Sequence, residues 1–170
     1  MTIHILPDEV ISQIAAGEVV ERPASVVKEL LENSLDAGAQ QIHITIKDAG
    51  RSLIELADDG LGIKPEEVSL AVARHATSKL NFAEDLFHIQ TLGFRGEALA
   101  SVGSVSRLTL TSRFENATTG MQIHVDGGHA SALEQVGIPQ GTVVRVENLF
   151  YNVPARLKFL KSDSTEKQQI

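Results

Sequence analysis

Glu29 and Asn33 stand four residues apart in a stretch, residues 23–38, that reads Pro-Ala-Ser-Val-Val-Lys-Glu-Leu-Leu-Glu-Asn-Ser-Leu-Asp-Ala-Gly. On a helix, side chains at that spacing are neighbours whose tips can reach one small object. A carboxylate beside an amide oxygen is a pair of hard oxygen donors, able to hold a water with one member and Mg²⁺ with the other. Asp36 falls on the same arc without acquiring a chemical role. Asp58-Asp59-Gly60-Leu61-Gly62 joins carboxylates to glycines that permit close backbone approach and unusual φ. A buried aspartate there could accept a hydrogen bond from an exocyclic amine such as that of adenine. Arg74-His75-Ala76-Thr77-Ser78-Lys79 sets hydroxyls beside a cation, the groups that bind phosphate oxygens. Gly93-Phe94-Arg95-Gly96-Glu97-Ala98-Leu99 is a glycine-rich turn into a helix, whose first backbone N–H groups can form an anion site. Read singly, each group also has a plain account: the polar edge of an amphipathic helix, an Asp-Gly turn, a solvated loop, a tight turn with a packed helix.

The elements that must position these groups follow from periodicity. Residues 8–20 read as a helix with Asp8 a plausible cap and Val10, Ile11, Ile14 and Val19 apolar; Gly17 weakens it. Residues 23–38 read as a second helix, with Pro23 in the first turn and Gly38 just past the end. Val26, Val27, Leu30, Leu31 and Leu35 share one half-circle of it, and Glu29, Asn33 and Asp36 lie at that face's edge. Alternation predicts strands over 41–47 and 53–57, antiparallel across an Ala49-Gly50-Arg51 turn. A helix is expected over 65–73, a long loop over 74–92 and a short helix over 97–102. Strands follow over 107–112, 121–126, 130–135 and 142–148, then a last short helix over 154–160. Helices grouped between runs of strands predict an α+β fold: a two-layer sandwich of a mixed, mostly antiparallel sheet with helices on one face.

The chain has 170 residues, one ordinary domain able to bury a core. No apolar run approaches the ~18 residues of a membrane span, and residues 1–9 lack the pattern of a signal peptide. The absence of cysteine removes disulfides and thiolate metal sites, and the six histidines lack metal-ligand spacing. A net charge of −7 argues against a generic nucleic-acid binder, and with one Tyr, no Trp and six Phe the sequence offers no obvious aromatic platform for stacking bases. There is no Walker A loop, dinucleotide fingerprint or nucleophile elbow. The ending Thr-Glu-Lys-Gln-Gln-Ile reads as a cut through a longer chain.

In order, Glu29…Asn33, Asp58…Gly60…Gly62, Gly93…Gly96 and Gly141-Thr142 resemble the shared pattern of the ATPase superfamily of gyrase B, large cytosolic heat-shock chaperones, histidine kinases and MutL. The resemblance is strongest to the MutL family of DNA mismatch repair proteins. It is carried by Gly17-Glu18-Val19-Val20-Glu21-Arg22-Pro23, residues 28–39, 74–79 and 93–100, and Leu149-Phe150-Tyr151-Asn152-Val153-Pro154-Ala155-Arg156.

The resemblance implies the Bergerat-type ATP-binding fold, with residues 1–170 an N-terminal ATP-binding domain lacking the family's second subdomain and C-terminal dimerisation domain. It implies ATP and Mg²⁺ as cofactors. Glu29 would be the general base and Asn33 the Mg²⁺ ligand; Asp58 would read the adenine amine, helped by a water and Thr142. Gly62 would line the nucleotide pocket. Thr77, Ser78 and Lys79, with Gly93, Phe94, Arg95, Gly96, Glu97, Ala98 and Leu99, would wrap the phosphates. Slow hydrolysis gated by a lid would drive conformational switching in mismatch repair. The family's second half supplies a lysine to the γ-phosphate, so turnover by these residues alone is expected to be impaired. The implied partners are a MutS-type mismatch recognition protein, a repair endonuclease and helicase, DNA weakly and mainly through the full protein, and a second copy in an ATP-dependent homodimer, with no membrane. The implied location is the bacterial cytoplasm, at the nucleoid during repair. Two other readings stand beside this one: a nucleotide-binding module without turnover, and a DNA-contacting platform that the acidic charge disfavours.

Overall fold

The computed structural model describes residues 6–73 and 98–170. The expected loop over 74–92 and the groups at Thr77, Ser78, Lys79, Gly93, Phe94, Arg95, Gly96 and Glu97 lie outside the described residues.

The described strands are β1 (Ile42–Lys47), β2 (Leu53–Asp58), β3 (Arg107–Arg113), β4 (Gly120–Asp126), β5 (His129–Ala130), β6 (Glu134–Val136) and β7 (Gly141–Glu147). They form one sheet in the order β1-β2-β7-β3-β4-β5, with β6 also paired to β4. Every pairing among them is antiparallel. The last strand in sequence thus inserts between β2 and β3, which no local pattern shows. The strand expected over 130–135 is divided in two. Ser131 donates its N–H to His124 O at 2.8 Å and its hydroxyl accepts from His124 N at 3.1 Å, so a side chain replaces part of the ladder.

The described helices are α1 (Asp8–Val19), α2 (Pro23–Asp36), α3 (Val68–Ala71), α4 (Ala98–Ser104), α5 (Pro154–Phe159) and α6 (Asp163–Gln169). Pro7, not Asp8, takes the position before α1, and the helix runs through Gly17 unbroken. It buries Ala16 and Val20 and leaves Val10, Ile11 and Ile14 exposed. The helix expected over 65–73 is a 3₁₀ turn, Pro65–Glu67, followed by the single turn of α3. α6 has no counterpart in the sequence reading. Its residues are polar throughout, and it is held by the Ser162 cap on Thr165 N and by Arg51, which donates to Lys161 O at 2.8 Å and pairs with Asp163 at 3.0 Å.

On α2 the buried stripe is Val26, Val27, Leu30 and Ser34, while Leu31 is half-buried and Leu35 exposed. The core lies between this stripe and the inward residues of the sheet: Ile54 and Leu56, Val144 and Val146, Leu108 and Leu110, Ile123 and Val125. Burying a Leu or Ile side chain stabilises by roughly 1.5–3 kcal/mol, so this layer fixes α2 against β2. The helices thus cover one face of the sheet, as the alternation of each strand requires.

Candidate functional site

The inward face of β2 runs Ile54, Leu56, Asp58; that of β7 runs Val146, Val144, Thr142; that of β3 runs Leu108, Leu110, Ser112. At one end of the sheet the apolar rows therefore give way to a polar one. Asp58 is opposite Thr142, and Thr142 is opposite Ser112. α2 adds Ser34 to this end, four residues after Leu30 on the buried stripe.

These groups form a closed set of hydrogen bonds. The Ser34 hydroxyl donates to Asp58 Oδ2 at 2.6 Å. The backbone N–H groups of Gly60 and Thr142 donate to Asp58 Oδ1 at 3.0 and 3.3 Å. The Ser112 hydroxyl accepts from Ile63 N at 2.8 Å, donates to Gly141 O at 3.0 Å and lies 2.9 Å from Thr142 Oγ1. Ser34 and Ser112 are 2% and 1% exposed, so both are fixed parts of the interior, whereas Asp58 and Thr142 are half-buried.

The loop after β2 is held from three sides. Leu61 N donates to Ala37 O at 3.0 Å, Glu115 N donates to Leu61 O at 3.0 Å, and Gln140 Nε2 donates to Gly60 O at 3.2 Å. Two glycines make the closeness possible. Gly62 has φ +74, and a Cβ there would stand 2.1 Å from Arg113 O. Gly141 has φ +120, and a Cβ there would stand 1.9 Å from Asp58 O. No side chain fits either place, and neither φ suits an L-residue.

The adjacent aspartates divide. Asp59 is exposed, and its Oδ1 accepts from Gln40 N and Gln41 N at 2.7 and 2.9 Å. The Gln41 N–H, and then that of Gln40, hold its carboxyl below the ordinary aspartate range. Asp59 therefore ties the segment after α2 to the loop, and only Asp58 turns inward.

Glu29 and Asn33 sit on α2 beside Leu30 and Ser34, one turn apart, and both are half-buried. Asn33 adjoins the Ser34–Asp58 contact in sequence, and Glu29 lies ~6 Å nearer the helix start. Ala98 and Leu99 are half-buried in α4, and Leu99 packs on the core. The structure thus brings Asp58 and Thr142 together directly, with Gly62 behind them and Asn33 and Glu29 along the neighbouring helix edge. Among the described residues no group of three or more His, Cys, Asp or Glu side chains could hold a metal ion. No described helix is long and apolar enough to cross a membrane.

Sequence reasoning missed Ser34 and Ser112. The signal was present for both: Ser34 continues Val26 and Leu30 at intervals of four, and Ser112 continues Leu108 and Leu110 at intervals of two.

Known proteins resemble this chain in sequence and in fold. Residues 21–147 match the family described as histidine kinase-, DNA gyrase B-, and HSP90-like ATPase. The chain is 58% identical over its full length to the DNA mismatch repair protein MutL of Chelativorans sp. (strain BNC1), covering 27% of that protein. It is 58% identical over 98% of its length to MutL of Mannheimia succiniciproducens, covering 26% of it. The chain therefore spans about a quarter of the length of these curated relatives. Among solved structures, the Aquifex aeolicus MutL ATPase domain complexed with ADP superposes with a TM-score of 0.71 at 39% identity, over 89% of this chain and 52% of that one. The N-terminal domain of a DNA repair protein superposes with a TM-score of 0.76 at 36% identity, over 97% of this chain and 47% of that one.

Proposed function

The chain belongs to the histidine kinase-, DNA gyrase B- and HSP90-like ATPase family, its likeness within that family running to MutL, and from this premise we infer that it is an N-terminal ATP-binding module of mismatch repair that hydrolyses ATP slowly. The observation that carries the reading is the hold on Asp58: three donors from α2, the glycine loop and β7 converge on its carboxylate. A carboxylate fixed that firmly offers its remaining lone pairs in one direction, as recognition of a purine amine requires. The Aquifex relative is complexed with ADP, which supports nucleotide binding by a domain of this fold.

The donor set fits Mg²⁺, since Asn33 brings a hard amide oxygen and Glu29 a carboxylate one turn away. Asn33 would hold the ion, which when bound supplies charge neutralisation on the triphosphate. Glu29 then serves as general base, positioning the attacking water and taking its proton. Asp58 and Thr142 orient the base, and Gly62 lets the loop close against β3. Thr77, Ser78, Lys79 and residues 93–99 would surround the phosphates, and closure of that segment would gate turnover. In the longer protein this cycle would switch conformation, dimerise two copies and couple a MutS-type mismatch recognition protein to a repair endonuclease and helicase at DNA. The bacterial cytoplasm, at the nucleoid, is the compartment consistent with that work. The charge of −7 keeps direct DNA contact a minor role for these residues.

Titration with ATP and Mg²⁺, with turnover followed on the same sample, tests this. Asp58→Asn is expected to weaken ATP binding by about a hundredfold, the worth of a charge-assisted bond and its lost geometry. Glu29→Ala is expected to keep binding and lose turnover. Unchanged ATP affinity in Asp58→Asn sinks the purine-reading role; binding without turnover in the unaltered chain leaves a nucleotide-sensing module.

A further inference from the structure

The geometry points to Ser112 as the residue that fixes which way the Thr142 hydroxyl proton lies, and so as a positioning residue for base selectivity; this rests on the nucleotide reading above. A serine hydroxyl has one proton and accepts at two lone pairs. Ser112 is offered three partners: Ile63 N–H at 2.8 Å, Gly141 O at 3.0 Å and Thr142 Oγ1 at 2.9 Å. The amide can only donate, and the carbonyl can only accept. Ser112 therefore spends its proton on Gly141 O and one lone pair on Ile63. The single capacity left to it is to accept, so the proton between Ser112 and Thr142 belongs to Thr142. Reversing that bond would set two acceptor oxygens, Ser112 Oγ and Gly141 O, against each other at 3.0 Å in a residue that is 1% exposed.

The consequence is at Thr142. Its hydroxyl bonds to Ser112, and with its proton committed there it presents lone pairs alone toward the half-buried end of the sheet. Asp58 stands opposite it in the ladder and likewise offers oxygen acceptors. The side chains at this point thus make a two-acceptor surface. It favours a ligand edge bearing an amine and repels one bearing a carbonyl at the same place. Thr142 can serve as donor or acceptor by rotation about one bond; Ser112, held by β3, β7 and the glycine loop, removes the choice.

The test is equilibrium binding of ATP and of inosine triphosphate, which carries a carbonyl where ATP carries its amine, to the unaltered chain, Ser112→Ala, Thr142→Val and the double variant. In Ser112→Ala the Thr142 proton is released and can meet the carbonyl, so the preference for ATP should fall about tenfold, with inosine triphosphate binding improved relative to ATP. Thr142→Val should also lower the preference, and adding Ser112→Ala to it should change the ratio no further. Ser112→Thr, which restores the hydroxyl, should recover the preference. If Ser112→Ala does not fold, Ser112→Cys replaces it, sulfur being a weak acceptor, and a lower ratio is again expected. Equal weakening of both nucleotides, or additive effects of the two substitutions on the ratio, would overturn the inference. Asp58→Asn measured alongside separates this from the nucleotide reading. If it leaves ATP affinity unchanged the site itself is wrong; if it abolishes binding while Ser112→Ala keeps the full ATP preference, only the role of Ser112 fails.

Discussion

Asp58, Thr142 and Ser112 make one row across β2, β7 and β3; Glu55, Arg145 and Thr109 make another across the same strands. Each residue of the second row is three positions from its counterpart in the first, so the rows lie on opposite faces of the sheet. On the face covered by helices, the Asp58 carboxylate and the Ser112 hydroxyl are joined to backbone groups from separate elements, and the Thr142 hydroxyl bonds to Ser112. On the open face, Arg145 pairs with Glu55 at 2.9 Å and with Glu147 at 3.2 Å, and Thr109 bonds to His124 at 2.9 Å. Those charged side chains are 43%, 31% and 40% exposed. The difference teaches what marks a site on a sheet. Both rows are polar and well paired, but only one is polar where the fold supplies cover, and only there do glycines admit backbone from neighbouring elements.

Forcing a side chain into the covered end is the most severe way to break the contrast. Gly141→Ala would set a Cβ 1.9 Å from Asp58 O at a φ of +120. The two strands carrying Asp58 and Thr142 would have to separate. A loss of about 3 kcal/mol in unfolding free energy is expected, with nucleotide binding lost at temperatures where the protein stays folded. Chemical denaturation beside ATP titration measures both. A fall in stability with ATP affinity intact would show that the covered row is only structural, like the open one.

Much of this contrast was legible in the sequence. Period-two alternation located β1, β2, β3, β4 and β7 within a residue or two at each end, and the spacing of Pro23, Val26, Leu30 and Gly38 gave α2. Asp58 stood out through its glycine neighbours, and Thr142 only through the family resemblance. What stayed hidden was of two kinds. The insertion of β7 between β2 and β3 is a long-range pairing, so nothing local to Gly141 or Asp58 announces their contact. Ser34 and Ser112 were passed over because hydroxyls on core stripes look like tolerated exceptions until a partner for them is known. α6 was missed because Asp-Ser-Thr-Glu-Lys-Gln-Gln has no apolar face; its cap, Ser162, was a signal in the sequence, whereas the bond from Lys161 N to buried Glu166 at 2.9 Å shows only in the structure.

The open row sharpens the contrast by how little it should matter. Glu147 first, then Glu55, hold the Arg145 guanidinium charged beyond its ordinary range. Yet the three groups are screened by solvent, and exposed ion pairs of this kind contribute about 0–1 kcal/mol. Arg145→Met is expected to cost no more than that and to leave ATP affinity unchanged, although Arg145 lies on the same strand as Thr142. The small loss should shrink further as salt is raised. A tenfold loss of affinity would mean that the two faces are coupled through β7, and the division drawn here would fail.

The finest version of the comparison is between neighbours in sequence. Asp58 ends β2 facing α2, and Asp59, one residue on, is exposed and bonded to the backbone of Gln40 and Gln41. Because the Gln41 and Gln40 N–H groups lower its folded pKa below 3.8, Asp59 binds a proton more readily in the unfolded chain. Its contribution to stability is therefore complete above the ordinary aspartate range and is lost as pH falls through the lowered folded value. Asp59→Asn should flatten the acid limb of the melting curve measured between about pH 2.5 and 5, with little change at neutral pH and none in ATP binding. Loss of nucleotide affinity in Asp59→Asn, matching that in Asp58→Asn, would place both aspartates in the site and erase the boundary between them. An unchanged acid limb would instead show that the Gln40 and Gln41 contacts do not discriminate folded from unfolded protein.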